Sequence, residues 1–294
     1  MIKKHAYLIM AHNNWACLKS LIKLLDNEAN DLYIHIDKKA KDFPYNDFFD
    51  ICKKSKLFFI KRTDVKWGTD SQVKAEMMIF EEAYKNRPYW YYHLISGSDL
   101  ILRPVKDICS FFENRQENFI QCSDATSFEW RLRRYYNPFD NAPLPQFLRT
   151  RLNILSEIIQ YKFSVNRLIS LKKRYPKLGK GHNWCDLNEK AVELLLNSKR
   201  KVLKFTKFTL CSDEMYKQII LMNADPKKIG GISKKDIRYI LWCPGESHPK
   251  DLTINDVKTI FSKDQHDYLF ARKFNSGLHM DAINLVCTLI EKHE

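Results

Sequence analysis

No C-x-x-C pair occurs among the eight cysteines, which stand scattered at Cys17, Cys52, Cys109, Cys122, Cys185, Cys211, Cys243 and Cys287. That spacing offers no disulfide framework, and the reduced thiols of a cytosolic protein are expected. The apolar run that follows the start, residues 6–11, is too short for a membrane span or for the apolar segment of a cleaved secretory signal, so a cytoplasmic location is expected. No internal repeat, long Gly/Ser linker or low-complexity tract divides the chain. Its 294 residues are therefore read as one compact domain, 1–294, large enough to bury a sizeable core.

Acidic side chains are also in short supply. The chain has 35 of them against 49 basic ones, a formal net charge of +14, which would draw phosphates or an anionic membrane surface. The excess is uneven. Residues 149–207 hold 15 Lys or Arg and four acids, Glu157, Asp186, Glu189 and Glu193. This stretch either rests on anionic lipid at the inner face of the cytoplasmic membrane or is simply a solvated basic face.

Strands and helices alternate through the first third. Residues 6–11 form a nearly all-apolar run, as in a strand covered on both faces. Trp15, Leu18, Leu21, Ile22 and Leu25 recur at helical spacing, with Asn13 or Asn14 placed to cap the first turn. Residues 32–36, 57–60 and 90–95 read as further strands, with a helix from Asp70 or Ser71 to about Tyr84 between the last two. This rhythm predicts a mostly parallel, twisted sheet flanked by helices. Beyond Tyr136 the prolines Pro138, Pro143 and Pro145 interrupt, and Leu152, Leu155, Ile158 and Ile159 then show helical periodicity. Helices near 188–197 and 213–222, a strand over 237–242, a helix capped by Thr253 and a last helix near 281–291 complete the reading.

In such sheets ligands bind beyond the carboxyl ends of the strands. Met10 to His12, Asp37 and Ser96-Gly97-Ser98-Asp99 all fall at such ends and are expected to converge on one crevice, although singly Asp37 could cap a turn and the Ser96–Asp99 stretch could be a tight loop. Farther along stand an acidic Ser212-Asp213-Glu214, a His248-Pro249-Lys250 and an aromatic-flanked Phe270-Ala271-Arg272-Lys273-Phe274. Two cationic stations and an acid suggest a site that holds an anionic leaving group and removes a proton. Taken alone, Ser212-Asp213-Glu214 could be only a helix cap, Lys273 a solvated cation and Trp242 a core residue.

These pieces, with Tyr33-Ile34-His35-Ile36-Asp37, Val65-Lys66-Trp67-Gly68, Gly181-His182-Asn183-Trp184 and Trp242, follow one another in an order that resembles the core-2/I-branching β-1,6-N-acetylglucosaminyltransferase family, which includes peptide xylosyltransferases. The likeness runs from residue 6 to about 285. It implies a GT-A-like α/β glycosyltransferase fold, with a nucleotide-sugar-binding half over about 1–125 and an acceptor-binding, catalytic half over about 126–294 that carries a basic helical insertion near 149–180. It also implies inverting transfer from a UDP-sugar without a metal ion or other cofactor, and no Asp-x-Asp occurs in the chain. Without a metal, another positive charge must stabilise the departing diphosphate. Lys250 and Lys273 match the family's two basic positions, and Glu214 matches its general base, with Asp213 beside it as the competing carboxylate. The resemblance places Met10 and Asp37 at the uridine and Ser98 and Asp99 along the sugar and ribose. Trp242 falls on the acceptor side, as does the segment holding Glu129, Arg131, Arg133 and Arg134.

UDP-GlcNAc is the expected donor, with UDP-xylose as the alternative, and the acceptor is expected to be a glycan or glycolipid hydroxyl. Animal members carry an N-terminal anchor, a stem and several disulfides, so this chain resembles a compact bacterial relative that builds surface polysaccharide or lipid-linked glycan from the cytoplasmic side. Two other classes fit a basic, aromatic-rich chain: a nucleic-acid-binding module, and a UDP-sugar-binding protein without turnover. The aromatics fall within apparent strands and helices and no nucleic-acid motif occurs, so no nucleic acid is expected as partner. Glu214 and the two lysines argue against a dead site.

Overall fold

The computed structural model describes residues 3–140, 142–246, 248–262 and 267–293. Eleven strands are present among them: β1 (His5–Ala11), β2 (Asn30–Ile36), β3 (Lys56–Phe59), β4 (Tyr91–Ser96), β5 (Asp99–Ile101), β6 (Phe119–Ile120), β7 (Ser123–Asp124), β8 (Gly179–Lys180), β9 (Cys185–Asn188), β10 (Arg238–Ile240) and β11 (Phe270–Arg272). Six of them form the central sheet in the order β3-β2-β1-β4-β9-β6. The first four in that order are parallel, and β9 runs antiparallel to both of its neighbours. This is the mostly parallel, helix-flanked sheet that the sequence rhythm implies.

The apolar run of β1 is explained by burial on both faces. Tyr7, Ile9 and Ala11 join a core with the helices Trp15–Leu25 and Met280–Glu291, while Ala6 and Leu8 join a second core under the helix Asp70–Lys85. Alternate side chains of a strand point to opposite faces, so a strand between two helical layers needs apolar residues at every position. Phe80, fully buried in the second core, contributes on the order of 1.5–3 kcal/mol by leaving water. The helix Asp70–Lys85 begins one residue after Thr69, whose hydroxyl accepts from the Ser71 amide at 3.3 Å. Thr253 caps the helix Ile254–Phe261 as expected, in a reciprocal capping box with Asp256.

Several local expectations shift. Asn14 does not cap the helix Trp15–Leu25: it takes a left-handed conformation, and its side chain reaches away to the C-terminal part of the chain. The helix expected from Asp213 starts only at Tyr216, because Ser212–Glu214 winds more tightly as a 3-10 turn after a left-handed Cys211. The strand expected over 237–242 stops at Ile240, leaving Trp242 beyond its end and 53% exposed. The basic region folds as the helices Gln146–Lys162 and Leu168–Arg174, the second of which buries Leu168 and Leu171 in a satellite core with Leu132, Met215 and Ile219.

Candidate active site

The tips of β1, β2 and β4 open into a cleft of about 630 Å³. Met10 lines it at the end of β1, Asp37 just after β2, and Ser96, Gly97 and Ser98 after β4. The tips approach closely because Gly97 has no side chain. Its amide donates to the Met10 carbonyl at 2.9 Å, and a Cβ there would stand 2.8 Å from that of Ala11. Asp37 both lines the cleft and closes its own turn, accepting the Lys39 amide at 2.9 Å. Asp99 has a different place. It is 1% exposed, accepts from the Ser96 amide and hydroxyl at 3.1 and 2.6 Å, and does not line the cleft.

A second sheet, β10-β11-β5, carries the C-terminal motif to the same tips. The Phe274 amide donates to the Ser98 carbonyl at 2.9 Å. Asn14 completes the latch: its amide donates to Ser98 Oγ and to the Phe274 carbonyl at 2.9 and 2.8 Å, and its Oδ1 accepts from Ser276. This holds Arg272 and Lys273 in the cleft wall. Lys273 has one distant ion pair, 3.9 Å to Asp251. The Arg272 guanidinium lies over the Trp184 ring at 4.4 Å and 3.6 Å from Asp99, and its Nε and Nη1 have no hydrogen-bond partner. Burial lowers its pKa from the ordinary value. A half-buried cation with unused donors favours an anionic ligand.

The acidic turn is fixed from both sides. The Cys211 amide donates to the Gly68 carbonyl at 2.9 Å, and the Gly181 amide to the Glu214 carbonyl at 3.0 Å. Gly181 is required there, since a Cβ would meet the Gln121 carbonyl oxygen at 1.9 Å. Glu214 lines the cleft with its Oε2 held by Arg131 at 2.9 Å and Lys180 at 3.3 Å, while Oε1 has no hydrogen-bond partner among the described residues. Asp213 is buried, accepts from Gln72 at 2.9 Å, and has an unpartnered Oδ1. Burial first, then the nearby Glu76 carboxylate, pushes its carboxyl up to about 7.

Beneath this turn lies a fully buried ion pair. Lys217 donates to Glu76 at 2.7 Å, to the Asp213 carbonyl at 3.1 Å and to Asn183 Oδ1 at 2.5 Å; Tyr216 and the Asn183 amide also donate to Glu76, at 3.0 and 2.6 Å. Removing one partner of such a pair leaves the other charge uncompensated, which costs roughly 3–5 kcal/mol.

Of the expected site residues, Met10, Asp37, Ser98, Glu214, Trp242 and Lys273 therefore share the cleft. Arg131 reaches it through its ion pair with Glu214. Lys250 does not line it: its ammonium is bound to both Asp256 oxygens at 2.9 and 2.8 Å, although His248 and Pro249 beside it are cleft residues. Glu129 pairs with Lys172 at 2.6 Å, Arg133 is exposed, and Arg134 lies over Tyr161 at 5.3 Å; none of the three lines the cleft. Residues not expected there include Trp67, 84% exposed at the rim, and His35, whose pKa burial pushes down to about 4. His182 also forms a wall of a second cavity of about 350 Å³. Burial, with the Arg238 and Arg272 cations, pushes its pKa down to about 3, so it is neutral near pH 7. Among the described residues no group of three or more His, Cys, Asp or Glu side chains is placed to hold a metal ion.

The sequence profile of the core-2/I-branching enzymes matches residues 5–264. The chain belongs to that family and is a glycosyltransferase. No curated protein matches the sequence. Among solved structures it is similar to the apo form of mouse xyloside xylosyltransferase 1, with 10% identity over 82% of this chain and 88% of that one and a TM-score of 0.39. It is also similar to the apo WbbM bifunctional glycosyltransferase, with 8% identity over 100% of this chain and 52% of that one and a TM-score of 0.48.

Proposed function

We propose that the enzyme transfers a sugar with inversion from a UDP-sugar, GlcNAc from UDP-GlcNAc, to a glycan or glycolipid hydroxyl in bacterial surface-polysaccharide or lipid-linked glycan synthesis, and that it needs no metal ion. The observation that carries this reading is the asymmetric setting of Glu214. Two cations fix one carboxylate oxygen of a residue that lines the cleft, which leaves the second oxygen to act as a general base. Inversion takes one in-line displacement: Oε1 removes the acceptor proton, the acceptor oxygen bonds to the anomeric carbon, and the bond from that carbon to the diphosphate breaks.

Lys273 and Arg272 then stabilise the diphosphate charge. The exposed faces of Trp67 and Trp242 suit the flat side of a sugar ring or base. Asp37 and Met10, at the strand tips, serve the nucleoside. Lys250 joins the diphosphate only when it leaves Asp256.

The test is transfer from a panel of UDP-sugars, UDP-xylose included, with and without EDTA. Transfer from UDP-GlcNAc should survive the chelator. Glu214→Gln should lower kcat by roughly 10²–10⁴-fold with UDP affinity unchanged. Loss of activity with EDTA that manganese restores would refute metal independence, and a fully active Glu214→Gln would refute the base.

A further inference from the structure

The helix Gln146–Lys162 is built inside out. Its polar stripe faces the protein: Arg149 donates to the Asp140 carbonyl at 2.6 Å, Asn153 bonds Asp140 and the Phe139 amide, and Gln160, 6% exposed, exchanges two hydrogen bonds with the Tyr135 backbone at 2.7 and 3.0 Å. Its apolar stripe faces out. Phe147, Ile154, Leu155, Ile158 and Ile159 are exposed at helical spacing, and Phe163 continues the ridge at 71% exposure. Nine of the sixteen exposed large apolar side chains among the described residues fall between 144 and 169, so this is a patch and not scatter. Around it the charge is nearly all of one sign. Residues 144–177 carry eight Lys or Arg, and Glu157 is the one acid.

We propose that this face docks in the plane of an anionic lipid bilayer, with the isoleucine ridge in the acyl boundary and Arg151 and Lys162 among the headgroups. An apolar ridge flanked by cations is the pattern of an interfacial helix. At 17 residues the helix is about 26 Å long, and no helix among the described residues is long and apolar enough to cross a membrane. A second copy is the poorer occupant, because two such faces would bring eight cations against eight. Docking also bears on the site. Gln160 holds Tyr135, in the same segment as the Arg131 that grips Glu214, so the docked helix stands directly behind the acceptor side. A lipid-borne acceptor would then be delivered to the cleft from the surface on which the enzyme rests.

The test is co-sedimentation of the full chain with vesicles of equal parts phosphatidylcholine and phosphatidylglycerol, compared with phosphatidylcholine alone. The wild type should pellet with the anionic vesicles. Ile154→Ser/Ile158→Ser and, separately, Arg151→Glu/Lys162→Glu should each weaken binding by roughly tenfold or more. Raising the salt should release much of the charge-dependent binding. Both variants should keep the wild-type melting temperature and turnover on a soluble acceptor, since every replaced side chain is exposed. A wild type that stays in the supernatant, or an isoleucine variant that pellets equally well, would overturn the proposal. So would a wild-type dimer in vesicle-free buffer that the isoleucine variant dissolves. The assay requires no turnover, so it stands or falls independently of the donor and base assignments.

Discussion

Replacing Asp213 by asparagine separates two roles that adjacent carboxylates leave entangled. The Asp213 carboxyl is pushed from 3.8 up to about 7, by burial first and by Glu76 second. That rise of about three pH units, at ~1.4 kcal/mol each, means that the ionised form costs the native state about 4 kcal/mol. The sign follows from proton counts. Between about pH 4 and 7 the native state keeps a proton that the unfolded chain has released, so stability falls as pH rises through this window and the full cost is present above it. Asparagine has no such charge. It can still accept from Gln72, but its second polar atom inherits the place of the unpartnered Oδ1, an offset of about 1–3 kcal/mol that does not change with pH. Asp213→Asn should therefore be about 1–3 kcal/mol more stable than wild type at pH 8, which at roughly 2–4 °C per kcal/mol is several degrees in Tm.

The assay is a thermal melt of both proteins from about pH 5 to about pH 8. The Tm advantage of the variant should grow across that range and level off at its upper end. A difference that is the same at every pH, or that moves against the variant as pH rises, would refute the buried-carboxyl reasoning. Turnover supplies the second readout. With Glu214 as base, Asp213→Asn retains most of its activity, whereas a folded but inactive variant would move the base to Asp213.

Lys273→Ala should lower transfer by roughly 10²–10³-fold, the scale of losing one preorganised electrostatic donor, and unchanged kcat and UDP affinity would remove Lys273 from the donor site. Lys250→Ala should have the smaller effect on kcat, because in this structure its charge is bound to Asp256; an equal loss for the two variants would show that Lys250 leaves Asp256 when the donor binds. Gly97→Ala should destabilise by about 1–3 kcal/mol, since its methyl group would stand 2.8 Å from Ala11 Cβ, and an unchanged Tm would mean that the strand tips yield easily.

The sheet was legible because a strand buried on both faces is apolar at nearly every position, as the runs at 6–11 and 32–36 are apart from His35, and the run at 57–60 keeps that pattern although β3 lies half-buried at the sheet edge. Its tips were legible for the same reason, since the chain turns polar where the strands end, at His12, Asp37 and Ser96. What the sequence hides is long-range pairing. Glu76 and Lys217 look like ordinary charges on two helices 141 residues apart, and only the fold makes them one buried pair beneath the acidic turn. Asn14 has the composition of a helix cap, and its tie to residues some 260 positions away has no local signature. Arg272 was in view inside the Phe270–Phe274 motif, yet adjacent cations do not announce which of them faces a ligand.

Periodicity fails in a more instructive way at the basic region. Leu152, Leu155, Ile158 and Ile159 do mark a helix, but a 3.6-residue repeat states only that one face is apolar, not that this face is inside. The inference from apolar to buried assumes that water is the only alternative environment. Here the polar face holds Arg149, Asn153 and Gln160, which are matched by specific partners in the protein, whereas Leu155, Ile158 and Ile159 have none beneath them. Turning the helix over would take those partners away from the backbone groups of Tyr135, Phe139 and Asp140 and gain no core for the isoleucines to enter. The inversion is thus fixed from the inside, by the polar contacts with Tyr135, Phe139 and Asp140, and the exposed ridge follows from it. In water that arrangement has a cost of roughly 25 cal/mol for each Å² of apolar surface left uncovered, and an acyl boundary is an environment that removes it.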